Sequence, residues 1–344
     1  MLNRHHGGND LSLDICLDFS ANLNPLGMPE KVREAVIASA AEWEKYPDPF
    51  CSKLRGKLSG KLGVPAENIV CGNGADDLIY RIVSALRPKK ALICAPAFSE
   101  YRKALEEYGC AVNEHFLYEE KGFALTESIF DRIAGNDMLI LASPNNPTGQ
   151  ITGPELLAEI AGRCRMAGVF FLCDESFIGF SSESERITAL NFLNESTIVL
   201  RSFTKLFAMA GLRLGYAVCG NTETAEKISR TGQYWSVSAP AQAAGIAALD
   251  EKDYIKRTTD LIKAEREYLA AELADMGVKV FPSDTDFILF KARTDLGELL
   301  LERKILIRSC AGYSGLDRSF FRAAVRTVSE NRQLIAAIRR IMNG

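Results

Sequence analysis

A chain of 344 residues can bury a large core, and that length points to two domains. Hydrophobic residues make up 47% and charged residues 25%, as in ordinary soluble globular proteins, and no apolar run approaches the span of a bilayer. A net charge of −3 with no Lys/Arg block speaks against nucleic acid or an anionic membrane as partner.

The start, Met1-Leu2-Asn3-Arg4-His5-His6, has no apolar core and does not read as a secretory signal. Nine cysteines stand singly, without a Cys-x-x-Cys pair, and two of only three histidines are adjacent. Reduced thiols in the cytoplasm are therefore expected, with neither a disulfide frame nor a metal centre.

From about residue 69 to 220, short apolar runs alternate with amphipathic stretches. The runs are Ala91–Ala95, Ala111–Leu117, Met138–Ala142, Val169–Cys173, Ile198–Leu200 and Gly215–Cys219. Runs of that length fit strands buried on both faces, and the helix-length intervals fit crossovers. Pro154 to Met166 reads as one such helix, with proline in its first turn and Gly168 closing it. A mostly parallel α/β sheet is expected, binding its ligand beyond the strands' carboxyl ends. Past residue 240 a long helical segment runs to Met276, with a break near Asp250. Strand candidates follow at Lys279–Pro282, Asp286–Lys291, Ile305–Arg308 and Phe320–Val325, and a helix from Glu330 to Met342 closes the chain. This order predicts a smaller α+β domain onto which the first forty-odd residues pack.

Candidate functional residues cluster at the ends of these runs. Lys205, in Ser202-Phe203-Thr204-Lys205, follows an apolar run and precedes Arg213. Such a lysine can capture a carbonyl cofactor whose phosphate is held by Ser202, Thr204 and Arg213; the alternative is a solvated loop lysine. Cys71-Gly72-Asn73-Gly74-Ala75-Asp76-Asp77 precedes a helix expected over Leu78–Leu86, and backbone N–H groups at a helix start suit a phosphate, although Asp76 also reads as a helix cap. Phe98 can stack on a flat ring or lie in the core. Ser143-Pro144-Asn145-Asn146-Pro147-Thr148-Gly149 is a rigid turn able to aim an amide into a cleft. Asp174 ends its run as a carboxylate in need of a cation, either a protonated pyridine nitrogen or a structural ion-pair partner.

In these motifs the chain resembles the pyridoxal-phosphate (PLP) enzymes of fold type I, class I/II aminotransferase family, over nearly its whole length. The resemblance implies an aspartate aminotransferase-like fold, a mostly parallel central sheet with helices on both faces. The PLP-binding domain would span residues 46–245, and residues 1–45 with 246–344 would form the small domain. It also implies that Lys205 carries PLP, Asp174 faces the pyridine nitrogen, Asn146 bonds the ring 3-oxygen and Phe98 stacks on the ring. Gly74, Ala75, Asp76, Ser202, Thr204 and Arg213 would hold the phosphate. Tyr46 would reach the phosphate of a neighbouring subunit, implying a homodimer, and Arg322 would bind a substrate carboxylate. One departure is visible in Asp174-Glu175-Ser176-Phe177: relatives commonly have a tyrosine where this chain has Phe177.

Two branches of the family compete. Histidinol-phosphate aminotransferases share Asn22-Leu23-Asn24-Pro25. Threonine-phosphate decarboxylases of cobalamin synthesis are also similar in His6-Gly7-Gly8-Asn9, Leu306-Ile307-Arg308 and Ala324-Val325-Arg326-Thr327. By that resemblance His6, Asn22, Arg308 and Arg322 would bind a phosphorylated amino acid. The expected reaction is decarboxylation of O-phospho-L-threonine, with transamination of the histidinol-phosphate type as the alternative. A non-catalytic PLP-binding regulator is the rival from another class.

Overall fold

Side chains along a strand point alternately to opposite faces, and that alternation sorts the central apolar runs into separate cores. The computed structural model describes residues 14–343; His6, with His6-Gly7-Gly8-Asn9, lies outside the described residues. The central sheet has seven strands, in the order Ile69–Gly72, Gly215–Cys219, Thr197–Ser202, Phe170–Asp174, Met138–Ala142, Lys90–Ala95 and Ala111–Phe116. Only Gly215–Cys219 runs antiparallel to its neighbours.

On one face, Ile93, Ile140, Leu172 and Ile198 meet Leu78 and Ile82 of helix Ala75–Leu86 and Leu105 of helix Ser99–Glu107. On the other, Leu92, Leu139 and Phe171 are covered by Leu157 and Ile160 of helix Pro154–Ala167. Further along that face, Ile69 and Val218 lie under helices Ser52–Leu62 and Ala239–Ala248. The helix expected from Pro154 has proline in its first turn and ends on Gly168 at φ +68, the left-handed conformation glycine adopts without strain. One expectation for this sheet fails. Ala111–Phe116 is largely exposed, because as the last strand it has a neighbour on one side only.

The long segment past residue 240 is two helices, Ala239–Ala248 and Lys252–Asp275, broken at Leu249–Glu251. A four-stranded antiparallel sheet follows, in the order Arg308–Ser309, Phe320–Ala324, Phe287–Lys291 and Lys279–Val280. The expected strand Ile305–Arg308 divides, since Ile305–Leu306 pairs in parallel with Leu17–Asp18 instead. Helices Lys252–Asp275 and Val328–Asn343 close a core of Ile262, Leu269, Phe287, Phe321, Leu334 and Ile338, which Phe19 also enters. The early helix Glu30–Ala38 packs elsewhere: its Val32 joins Leu54, Ala241 and Ala244 beneath the large sheet. Among the described residues no helix is long and apolar enough to cross a membrane, and all nine cysteines are free thiols, eight of them buried.

Candidate active site

Parallel strands present their carboxyl ends along one edge of a sheet, and the loops leaving those ends meet over it. Here they border a cavity of about 580 Å³ between the two sheets. Into it come Asn146 after strand Met138–Ala142, Asp174 at the end of Phe170–Asp174, and Ser202, Thr204 and Lys205 after Thr197–Ser202. Ala75 and Asp76 open helix Ala75–Leu86, Phe98 precedes helix Ser99–Glu107, and Arg213 starts the return into Gly215–Cys219. The small sheet adds Arg308 and Arg322, and the N-terminal segment adds Asn22.

Twelve of the residues singled out in the sequence thus share one cavity. Gly74 stands immediately beside it. Its φ is +93, and a Cβ there would lie 2.8 Å from Nη2 of Arg213, so only glycine lets the guanidinium close over the helix start. Tyr46 lies outside, 78% exposed and stacked on Trp235 with ring centroids 4.3 Å apart.

Electrostatics in the cavity follow from burial. Desolvation pushes the Lys205 amine below its usual range; the nearby Arg322 and Arg213 add to this, while Asp286 and Asp174 oppose it. Burial likewise raises the Asp174 carboxyl, against hydrogen bonds that favour its charged form. Its Oδ1 accepts from the Ser176 N–H at 2.8 Å and its Oδ2 from the Tyr101 hydroxyl at 2.6 Å. Asp286, wholly buried, is lifted to about 6 by desolvation, with Lys205 and Arg322 pulling the other way.

Arg322 is held in place by Phe287, whose ring centre lies 5.1 Å beneath its guanidinium, and by its Nη2 donating to the Ser20 carbonyl at 2.9 Å. The Lys205 turn is tied down too. The Asn24 N–H donates to the Lys205 carbonyl at 3.2 Å, and Asn24 Nδ2 donates to the Leu206 carbonyl at 2.7 Å. Beside Asp174, Glu175 accepts from Arg201, Thr188 and the Ala189 N–H, a buried network that pins the strand ends carrying Asp174 and Ser202. Phe177 packs edge-on against Phe287 at 5.2 Å and lines the cavity, offering no hydroxyl.

Sequence reasoning missed Tyr101, Asp286, Tyr313 and the Glu175–Arg201 pair. No local motif marks them, because each is brought to the site by tertiary packing.

The donor set fits pyridoxal phosphate. No side chain caps helix Ala75–Leu86, so its first N–H groups remain for a phosphate, beside two hydroxyls and a guanidinium. Asp174 lies at the same cavity as an amine that burial makes easier to deprotonate, and Asn22 keeps a buried Oδ1 without a hydrogen-bond partner. These features define a site for a phosphorylated carbonyl cofactor on an aspartate aminotransferase-like fold.

The chain belongs to the class I and II aminotransferase family, whose model matches residues 14–338, and is a PLP-dependent enzyme of that family. It is 37% identical to the threonine-phosphate decarboxylase of Salmonella typhimurium, an alignment covering 100% of this chain and 98% of that protein. It is 34% identical to an adenosylcobalamin biosynthesis bifunctional protein of Leptospira interrogans, over 98% of this chain and 41% of that protein. Among solved structures, the histidinol-phosphate aminotransferase of Clostridium acetobutylicum superposes with a TM-score of 0.90 at 29% identity, covering 95% of this chain and 99% of that one.

Proposed function

We propose that the enzyme decarboxylates O-phospho-L-threonine to an aminopropanol phosphate, in cobalamin synthesis. One observation carries this reading. Arg308 and Arg322 are direct cross-strand partners in the small sheet, and both border the cavity. Two guanidiniums side by side on the cavity wall suit a ligand bearing two anionic groups. A phosphorylated amino acid has them, a carboxylate for Arg322 and a phosphate for Arg308. The threonine-phosphate decarboxylase among the relatives, alike over its full length, supports the same substrate.

Lys205 would hold the cofactor, with Ser202, Thr204, Arg213, Gly74, Ala75 and Asp76 around its phosphate, Phe98 on its ring and Asn146 at the ring oxygen. When bound, PLP supplies an electron sink conjugated to the substrate amine, and Asp174 keeps that sink charged at its ring nitrogen. Arg322 and Arg308 would hold the two ends of the substrate and so orient its Cα toward the cofactor. Lys205 would hold and move a proton at that carbon.

The deciding experiment incubates the purified enzyme with O-phospho-L-threonine, and separately with histidinol phosphate and 2-oxoglutarate, following CO₂ and keto product together. Release of CO₂ from the first supports the reading. Keto product from the second without CO₂ from the first overturns it in favour of an aminotransferase.

The working form would be a cytoplasmic homodimer. Tyr46, Trp43, Phe50, Tyr234 and Trp235 are all 47% exposed or more, and four of them are linked by ring contacts, which supports burial against a second copy. Residues 46–245, joined by helix Glu30–Ala38 beneath the large sheet, would act as the cofactor-binding unit, and the rest of residues 1–45 with 246–344 as the unit that brings Arg308, Arg322, Asn22 and His6 to the substrate.

A further inference from the structure

We propose that Tyr101 is a positioning residue for the cofactor, acting through both Asp174 and Phe98. Its side chain is buried at 2% exposure within helix Ser99–Glu107. The hydroxyl donates to Oδ2 of Asp174 at 2.6 Å, while the Ser176 N–H occupies Oδ1 at 2.8 Å. A carboxylate gripped at both oxygens cannot rotate. The same tyrosine ring meets Phe98 edge to face, with centroids 5.7 Å apart and planes at 84°. One helical turn therefore carries the side chain expected to stack on the ring and the one that orients the carboxylate facing its nitrogen.

The chemistry gives Tyr101 a role beyond packing. Burial, and Asp174 itself, push the phenol well above its usual range, so it stays a neutral donor across the working pH. A donor on Asp174 lowers the carboxylate's affinity for a proton. With PLP bound, a proton shared between Asp174 and the pyridine nitrogen would then reside on nitrogen, where it would strengthen the electron sink. Without the donor it moves toward the carboxylate, and the ring loses positive charge. With the cofactor bound, a less positive ring would withdraw less charge from the Lys205 nitrogen, so that nitrogen would be easier to protonate.

This inference rests on the assignment of Asp174 to the pyridine nitrogen, and the test separates the two. Wild-type holoenzyme is compared with Tyr101→Phe, which keeps the ring and removes the hydroxyl, with Tyr101→Leu, and with Asp174→Asn. The readouts are the pH midpoint of the cofactor's visible absorbance, the Kd for PLP, and thermal unfolding of the cofactor-free protein. For Tyr101→Phe the midpoint is expected to rise and the Kd to increase about tenfold, the loss of one hydrogen bond to a charged group, with unfolding near wild type. Tyr101→Leu should weaken binding further through Phe98, and Asp174→Asn should shift the midpoint the same way and more. A wild-type midpoint and Kd in Tyr101→Phe, beside a shifted Asp174→Asn, would overturn the role of Tyr101, as would a change in thermal unfolding alone. Unchanged titration in both variants would overturn the assignment of Asp174.

Discussion

Arg322 reaches from the small sheet to Asn146 on the large one, donating from Nη1 to the amide oxygen, which also accepts from the Tyr313 hydroxyl at 3.2 Å. With its oxygen occupied, Asn146 would meet the ring oxygen through its Nδ2 donor, in keeping with its proposed role. Asn146→Ala removes that donor and one support of Arg322 at once. The expected outcome is a Kd for PLP raised about five- to tenfold, the usual worth of one hydrogen bond, together with a higher KM. Equilibrium titration of the cofactor-free protein and steady-state kinetics check the two effects separately.

Arg308 and Arg322 should separate by substrate. Arg308→Ala is expected to raise KM for O-phospho-L-threonine by roughly 10–100-fold, as for one lost charge-assisted contact, and to change little with unphosphorylated threonine. Arg322→Ala should weaken both substrates. Equal effects of Arg308→Ala on the two would show that it does not meet the phosphate.

Gly74→Ala tests the phosphate cradle. The new methyl would lie 2.8 Å from Arg213 Nη2, at a φ of +93. With ψ at 167 this backbone region is essentially confined to glycine and costs an L-residue about 1–3 kcal/mol, and displacement of the guanidinium would add the loss of its proposed phosphate contacts. PLP binding should weaken at least tenfold, measured by absorbance on reconstitution.

The Glu175 side chain has no exposure, and its bonded partner Arg201 is 18% exposed. Removing one member of a buried pair leaves the other charge uncompensated, at a cost of about 3–5 kcal/mol. Glu175→Ala should therefore lower Tm by many degrees. A loss confined to activity, with Tm unchanged, would contradict the network's structural role.

Asp286 predicts a pH signature in the cofactor-free protein. Its folded pKa, about 6, lies above the usual carboxylate value of 3.8. Such a group contributes stability while protonated, and that contribution is lost as pH rises from about 4 through 6. The difference corresponds to roughly 3 kcal/mol. Asp286→Asn removes the titration, so its Tm relative to wild type should climb across that interval and then level off.

Much of the site was legible because its residues stand at strand ends, where a short motif and an apolar run fall side by side: Ser202 to Lys205, Ser143 to Gly149, and Asp174 after Cys173. The two-helix division near Asp250 and the helix from Pro154 were legible for similar reasons, through local turn chemistry. What sequence could not show is which distant segments meet. The opposition of Arg308 and Arg322 depends on strand register, and Asp286 reaches Lys205 only after the small sheet packs against the large one. Tyr101 sits three residues after Phe98 in plain view, but nothing local says that its hydroxyl ends on Asp174. The exposed face of Ala111–Phe116 was misjudged because its place at the sheet's edge depends on strand order, which composition does not encode.

The single antiparallel strand of the central sheet, Gly215–Cys219, has a consequence for synthesis. It lies between Ile69–Gly72 and Thr197–Ser202 and is the only bridge from the first strand to the rest of the central sheet. A Cβ on Gly215 would come within 2.7 Å of the Ala75 nitrogen, so this strand also presses directly on the helix start. A growing chain that has already produced Lys205, but not yet Gly215–Cys219, holds both halves of the phosphate cup without the strand that joins them. Retention of the cofactor should therefore wait for this strand to take its place between them.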